Sequence, residues 1–138
     1  MNDAKGFTLL ELMVTVGIVA ILSVIAVPSY ESFVIEGKRA EGVAFAMDIA
    51  SRQERHFTQW GRYAGSLSAT GEDGLGIAGT SENGYYTGST DFVGGSNVTF
   101  EINVAPNNFT DAECNGLRLF NTGEREITGD GDPAECWR

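Results

Sequence analysis

The sequence predicts an α+β protein in which one long N-terminal helix is followed by an antiparallel β-sheet head. Residues 12 to 30 carry no charged side chain. The next thirty residues repeat apolar side chains at spacings of three and four, and the last forty alternate apolar and polar residues in short segments. With 138 residues, the chain has room for one compact domain plus a long appendage.

The first apolar run has the properties of a membrane segment. It is close to the roughly 20 residues that cross a bilayer as a helix. Lys5 precedes it, with little positive charge directly after it, which favours a cytoplasmic N-terminus. The run continues into a helical pattern instead of ending at the small-residue cleavage site of a secretory signal peptide. Glu11 lies inside it, and a carboxylate there is costly unless paired, so Glu11 is a candidate functional residue.

The second part of the helix is amphipathic. We expect one helix from Phe7 to about Gln59, roughly 80 Å long at 1.5 Å per residue. Pro28 removes a backbone hydrogen bond and should kink or loosen it. Two interpretations of Pro28 stay open, a segment that stretches in an assembly and a static bend. The apolar stripe comprises Val43, Ala46, Ala50, Gln53, Phe57 and Trp60.

The head begins where Gly61 ends the helical pattern. Residues 64–97 are rich in Gly, Ser and Thr and predict a long loop with a strand or two near 85–87 and 91–93. The clearest strand is 98–104, which alternates strictly, and shorter strands are predicted at 117–120 and 125–128. Trp60 and Tyr63 are expected to pack between helix and sheet.

Acidic residues dominate the head. Residues 63–138 hold twelve acids against three arginines, a net charge of −9. Such a surface repels phosphate, so no nucleic acid is expected as a partner of the head alone. The general interpretation is that these acids keep an exported domain soluble.

Two cysteines, Cys114 and Cys136, lie in the last quarter of the chain. In a cytosolic protein they would be free thiols. Behind an export segment, an even count in a small domain favours a disulfide. Pairing them would close a loop of roughly 20 residues, worth about 3 kcal/mol in the loop-entropy model.

The segment from Lys5 to Leu12 (Lys-Gly-Phe-Thr-Leu-Leu-Glu-Leu) resembles the class III signal of type IV pilins and type II secretion pseudopilins. The resemblance implies that a prepilin peptidase cuts after Gly6 and methylates the new N-terminal Phe7. It also implies that Glu11 neutralises the terminal amine of a neighbouring subunit during assembly, which fits the lower cost of burying two opposite charges together. Many type IV pilins also have a helix breaker at the place of Pro28.

Short pieces of the head at 52–57, 122–125 and 136–138 are similar to PilE-like minor pilins of type IVa systems. The resemblance implies a pilin fold whose C-terminal loop is closed by Cys114 and Cys136. The expected parts are a leader peptide at 1–6, a hydrophobic transmembrane and filament-core helix at 7–30, an amphipathic helix at 31–60 and a globular head at 61–138.

The same resemblance implies a structural filament subunit, a minor pilin that passes once through the bacterial inner membrane before assembly into an extracellular type IV pilus. Such filaments serve adhesion, twitching motility or DNA uptake. The implied partners are other pilin subunits, the prepilin peptidase and methylase, the pilus assembly machinery and, before assembly, membrane lipid. Two alternatives stay open: a type II secretion pseudopilin, and a membrane-anchored adhesin or DNA-uptake binding module.

No enzyme and no cofactor are expected. His56 is the only histidine, and no base suited to a serine or cysteine nucleophile accompanies it. Asp130, Asp132 and Glu135 form a weak calcium candidate, because Ca²⁺ takes carboxylate oxygens from tight loops. An EF-hand pattern is absent and Pro133 interrupts the run, so a solvated turn is favoured over a metal site.

Overall fold

The computed structural model describes residues 6–138, apart from the side chain of Pro28. The chain divides between Glu36 and Gly37 into two compact units. The predicted α+β architecture is confirmed: one long helix and a four-stranded antiparallel sheet. The elements are α1 (Leu9–Trp60), β1 (Tyr86–Asp91), β2 (Glu101–Pro106), β3 (Leu117–Phe120), β4 (Arg125–Ile127) and α2 (Pro133–Cys136).

The N-terminal unit contains the apolar part of α1. The helix continues without interruption through Gly17 and residue 28. Its most apolar 18-residue window has a mean hydropathy of 2.6 and no buried residue, so α1 is long and apolar enough to cross a membrane.

The sheet is a meander in the order β1-β2-β3-β4, so every strand pairs with its neighbour in sequence. Ile102 lies opposite Leu119, and Val104 lies opposite Leu117. All four side chains are buried on the inner face, where they join Ala46 and Ile49 of α1 in one hydrophobic core. The opposite face of the same strands carries polar residues such as Asn103 and Arg118.

Helix α1 approaches β1 closely because both elements carry a glycine at the contact. A Cβ atom on Gly42 would lie 2.8 Å from the ring of Tyr86. One on Gly88 would lie 2.8 Å from Cε1 of Phe45. β1 is a single strand that runs through Gly88, whereas the sequence predicted a strand or two near 85–87 and 91–93.

Gln53 lies on the apolar stripe of α1 and is fully buried. Its Oε1 accepts a hydrogen bond from the amide of Ala64 at 2.8 Å. Its Nε2 donates to the carbonyl of Ala64 at 2.8 Å and to Oγ1 of Thr90 at 2.9 Å. The side chain thus satisfies backbone groups that would otherwise be buried without a partner, and it joins α1 to the following loop and to β1.

A disulfide joins Cys114 and Cys136, with their Cα atoms 5.7 Å apart. Both cysteines are buried. The indole Nε1 of Trp137 donates to the carbonyl of Glu126 at 3.0 Å, which attaches the segment after α2 to β4. The expected C-terminal disulfide loop is therefore part of the fold.

Candidate functional site

A cleft of about 390 Å³ opens on the last turns of α1. The lining residues that belong to α1 recur three and four positions apart, so they lie along one side of the helix. Three residues of the loop after α1 form the opposite wall. We call this feature the α1 cleft; it is lined by Arg52, Arg55, His56, Gln59, Trp60, Gly71, Gly74 and Leu75.

The loop wall is held by its own backbone. The amide of Leu75 donates to the carbonyl of Ser66 at 3.0 Å, and the amide of Ile77 donates to Leu67 at 2.8 Å. A Cβ atom on Gly74 would lie 2.3 Å from the carbonyl oxygen of Ala69, so only glycine allows this approach. Leu67 is buried in the core, which fixes the loop beneath the cleft.

His56 joins the loop to α1 at two points. Its Nδ1 lies 2.9 Å from the carbonyl oxygen of Arg62, and its Nε2 lies 3.1 Å from that of Gly71. Both partners are acceptors, so the singly protonated ring donates only one of these hydrogen bonds and the imidazolium donates both. The ring is buried, and its role is to position the loop wall.

The arginines near the α1 cleft differ in how far their charge is neutralised. Nε of Arg52 pairs with Asp48 at 2.8 Å. Arg55 donates from Nη1 to Oγ of Ser51 at 2.8 Å and has no carboxylate partner in residues 6–138. Arg55 is therefore the guanidinium of the cleft that is available to an anionic ligand.

Trp60 lines the same cleft and is 44% exposed. Its ring centroid is 6.3 Å from that of His56. The expectation that Trp60 packs between helix and sheet was wrong, whereas Tyr63 does pack there, edge-on against Phe100 at 4.7 Å. The α1 cleft thus contains an exposed indole that can stack on a base and a guanidinium without a carboxylate partner in residues 6–138 that can bind phosphate, as in proteins that bind nucleic acids.

Charge is unevenly distributed within the C-terminal unit. Residues 37–74 hold five lysines or arginines and five acids, whereas residues 75–138 hold three arginines and ten acids. The negative charge of the head thus comes from the sheet and the C-terminal segment, not from the part that carries the α1 cleft.

At the N-terminus, Gly6 and Phe7 precede α1 and are exposed. Thr8 and Glu11 form a reciprocal capping box: the amide of Glu11 donates to Oγ1 of Thr8 at 3.2 Å, and the amide of Thr8 donates to Oε2 of Glu11 at 3.3 Å. This box explains why the helix begins at Leu9. Sequence reasoning missed it, although a threonine three residues before a glutamate ahead of an apolar run is its known signature. Cleavage after Gly6, methylation of Phe7 and the assembly role of Glu11 stay predictions.

The calcium candidate finds no support in the structure. Oδ1 of Asp132 accepts from the amide of Ala134 at 2.9 Å and caps α2. Glu135 pairs with Arg138. Among residues 6–138, no three His, Cys, Asp or Glu side chains, Asp130 included, are grouped to hold a metal ion.

Comparison with known proteins identifies the family. Residues 28–118 match the family model described as type IV minor pilin ComP, DNA uptake sequence receptor. This chain belongs to the ComP family of type IV minor pilins. Residues 1–27 match the prokaryotic N-terminal methylation motif. The ComP-like chain is thus a structural pilin and not an enzyme, and its family places it in a membrane or a pilus.

Its relatives include major pilins. One type IV major fimbrial protein FimA of Dichelobacter nodosus is 35% identical over 82 residues, which cover 59% of this chain and 49% of FimA. Another FimA of the same organism is 48% identical over 48 residues, 35% of this chain and 30% of that protein. The chain therefore spans about half the length, or less, of these relatives. A type IV pilin structure from Shewanella oneidensis is 23% identical with a TM-score of 0.49, covering 65% of this chain and 88% of that one.

The family match corrects one expectation. The net charge of the head led us to expect no nucleic-acid partner, but the family is described as a DNA uptake sequence receptor. A net charge summed over the head does not exclude a DNA-binding site. DNA binding depends on where individual cations lie, because each phosphate contact is local.

Proposed function

We propose that this ComP-like minor pilin binds DNA at the α1 cleft and so acts as the DNA-capturing subunit of a type IV pilus. The observation that carries the proposal is that Arg55, which has no carboxylate partner in residues 6–138, lines one cleft with the exposed indole of Trp60, within the stretch matched to the family of DNA uptake sequence receptors. Arg55 supplies a phosphate contact, and Trp60 supplies a flat apolar surface for a sugar or base.

The mechanism needs a rigid cleft more than a large basic surface. His56 and Gly74 fix the loop wall relative to α1, so a bound strand meets Arg55 and Trp60 in one geometry. Pre-positioned contacts lose less side-chain entropy on binding than flexible ones. The acidic sheet and C-terminal segment repel phosphate and confine the duplex to this end of the head.

The test is fluorescence anisotropy of the detergent-solubilised full-length protein with a labelled 30-base-pair duplex across a salt series. Arg55→Gln is expected to weaken binding and to reduce the slope of log affinity against log salt by about one. Trp60→Ala is expected to weaken binding by roughly 10-fold, within the range of one lost stacking contact.

The matched control is Arg125→Gln. Arg125 likewise has no carboxylate partner among the described residues, but it lies over the ring of Trp137 at 5.5 Å, on β4. It is expected to leave binding nearly unchanged. Absence of binding by the unaltered protein, or an equal loss for Arg55→Gln and Arg125→Gln, would contradict the proposal.

We further propose the path by which the subunit reaches the pilus. Residues 1–6 are a leader removed after Gly6, and Phe7 becomes the methylated N-terminus. Residues 7–30 span the inner membrane and later lie in the filament core, with Glu11 opposite the amine of a neighbouring Phe7 and Pro28 shaping the helix. Residues 31–60 and 61–138 then belong to the surface of the filament, where other pilins are the partners. The methylation-motif match at 1–27 and the apolar window of α1 support this path.

Intact mass spectrometry of the protein from surface filaments and from membranes tests it. Loss of residues 1–6, one added methyl group and two fewer hydrogens at the cysteines are expected in the filament fraction. An uncut chain confined to membranes would contradict the path and favour a membrane-anchored binding module.

A further inference from the structure

We propose that Glu72 and Asp73 compete with DNA phosphate for Arg62 and so weaken sequence-independent DNA binding. This inference rests on the proposed function of the α1 cleft. It concerns Arg62, a third arginine near the cleft, whose charge is neutralised by Glu72 and Asp73 of the loop after α1.

The contact is an ion-pair triad between the residue two positions after α1 and a 3₁₀ turn at Gly71–Asp73. Nη2 of Arg62 lies 2.9 Å from Oε2 of Glu72 and 3.6 Å from Oδ1 of Asp73. The side chain of Arg62 is 35% exposed, and those of Glu72 and Asp73 are 59% and 82% exposed. All three charges are therefore reachable from solvent.

The fold fixes the position of this turn relative to the cleft. Gly71 lines the α1 cleft, and its carbonyl is bonded to His56. Gly71 has φ = 74°, a conformation that favours glycine, and it directs the chain so that the next two residues face Arg62. A small hollow of about 150 Å³ beside the turn is lined by Arg62, Tyr63, Gly65, Glu72, Asp73, Phe92 and Asn97.

The weak ion pairs of Arg62 with Glu72 and Asp73 affect how strongly the protein binds a polyanion such as DNA. Exposed pairs are readily exchanged, so a phosphate group competes with the carboxylates for Arg62. After exchange, the two carboxylates lie near the phosphate without a partner and repel it. Because phosphate contacts carry no sequence information, this cost lowers the affinity for any DNA, whatever its sequence.

The experiment measures binding of the full-length protein in detergent to a random-sequence 30-base-pair duplex. Glu72→Gln combined with Asp73→Asn is expected to tighten binding by about 5- to 10-fold at low salt and to steepen the salt dependence by about one released counterion. Glu72→Gln alone should give part of this gain. Circular dichroism establishes that the variants are folded.

Two controls separate this competition from a general charge effect. Glu124→Gln with Asp130→Asn removes the same two charges from exposed positions that make no ion pair in the described residues. Its gain should be much smaller. In an Arg62→Gln background, the gain from Glu72→Gln and Asp73→Asn should disappear.

The outcomes distinguish this inference from the function on which it rests. If the unaltered protein binds DNA but the gain equals that of the control, or persists without Arg62, the proposed competition is wrong and the DNA-binding proposal stands. If neither the unaltered protein nor any variant binds DNA, the proposed function itself is wrong.

Discussion

Arg39 donates two hydrogen bonds to the carboxylate of Asp111, from Nε to Oδ2 and from Nη2 to Oδ1, each 2.6 Å long. The side chain of Asp111 is 1% exposed, and its Oδ1 also accepts from the amide of Cys114 at 3.2 Å. Burial by itself raises the pKa of Asp111, but the hydrogen bonds from Arg39 and from the backbone outweigh it, and the pKa lies below its usual value. The pair joins α1 to the segment that carries the first cysteine.

Arg39→Met is expected to destabilise the protein by about 3 kcal/mol, because it leaves the charge of Asp111 buried without its partner. The free energy of unfolding of the full-length protein in detergent, measured with urea, checks this. Arg52→Met is the matched control: its pair with Asp48 is exposed and lies within one helix, so a loss of about 0.5 kcal/mol is expected. Equal losses would show that the buried pair has no special weight.

The same pair predicts a pH dependence. A carboxyl group whose pKa is lowered by folding contributes stability above its unfolded pKa, near 3.9 for aspartate, and this stability is lost as the pH falls through the lower folded pKa. Unfolding midpoints should therefore decrease as the pH falls below about 4. The Asp111→Asn variant should be less stable at neutral pH, and its unfolding midpoint should change less with pH across this acid range. If the loss of stability at acid pH is as steep in Asp111→Asn as in the unaltered protein, it arises from other carboxylates, such as Glu101, whose pKa Arg118 also lowers.

Two glycines of α1 should respond in opposite directions to alanine. A Cβ atom on Gly42 meets the Tyr86 ring at 2.8 Å, so Gly42→Ala forces α1 away from β1 and is expected to lower the melting temperature. Within the described part of the chain, nothing lies within 4 Å of a Cβ atom on Gly37, so Gly37→Ala should add up to about 1 kcal/mol through helix propensity. Differential scanning calorimetry of both variants tests the packing; stabilisation by both would mean that the Tyr86 contact relaxes freely.

Replacing both Cys114 and Cys136 by serine is expected to cost about 3 kcal/mol, because the closed loop of some 20 residues no longer restricts the unfolded chain. Reduction of the unaltered protein should give the same decrease in unfolding midpoint. Limited proteolysis is expected to cut first between residues 129 and 135, which are largely exposed. A midpoint that does not change on reduction would mean that Arg39, Asp111 and Trp137 hold this segment without the disulfide.

Several elements could be predicted from sequence because their signals are periodic. Helix α1 was expected from Phe7 to about Gln59 and runs from Leu9 to Trp60. The strictly alternating residues of β2 gave its buried face correctly, although the strand begins at Glu101 and not at Val98. Helix α2 was missed because it has only four residues, yet Asp132 followed by Pro133 is a recognised start signal.

The candidate site was less accessible to sequence reasoning. Arg52, Arg55 and Trp60 share a face only once α1 is known to be helical as far as residue 60, and the loop wall depends on Gly74. Summing charges over the whole head concealed the separation between a balanced helical side and an acidic sheet side. The partner of Arg62 could not be predicted, because it depends on a positive φ at Gly71.

The disulfide brackets one hairpin: Cys114 precedes β3 and Cys136 follows β4. Pairing of β3 with β4, together with the hydrogen bond from the Trp137 indole to β4, is therefore enough to bring the two thiols close together without contacts from distant parts of the chain. Closing this loop costs less entropy than closing a longer one, and every strand of the meander likewise pairs with its neighbour in sequence. Formation of the disulfide thus requires only that this hairpin is paired. In an oxidising compartment, the two cysteines can therefore be joined as soon as the hairpin has formed.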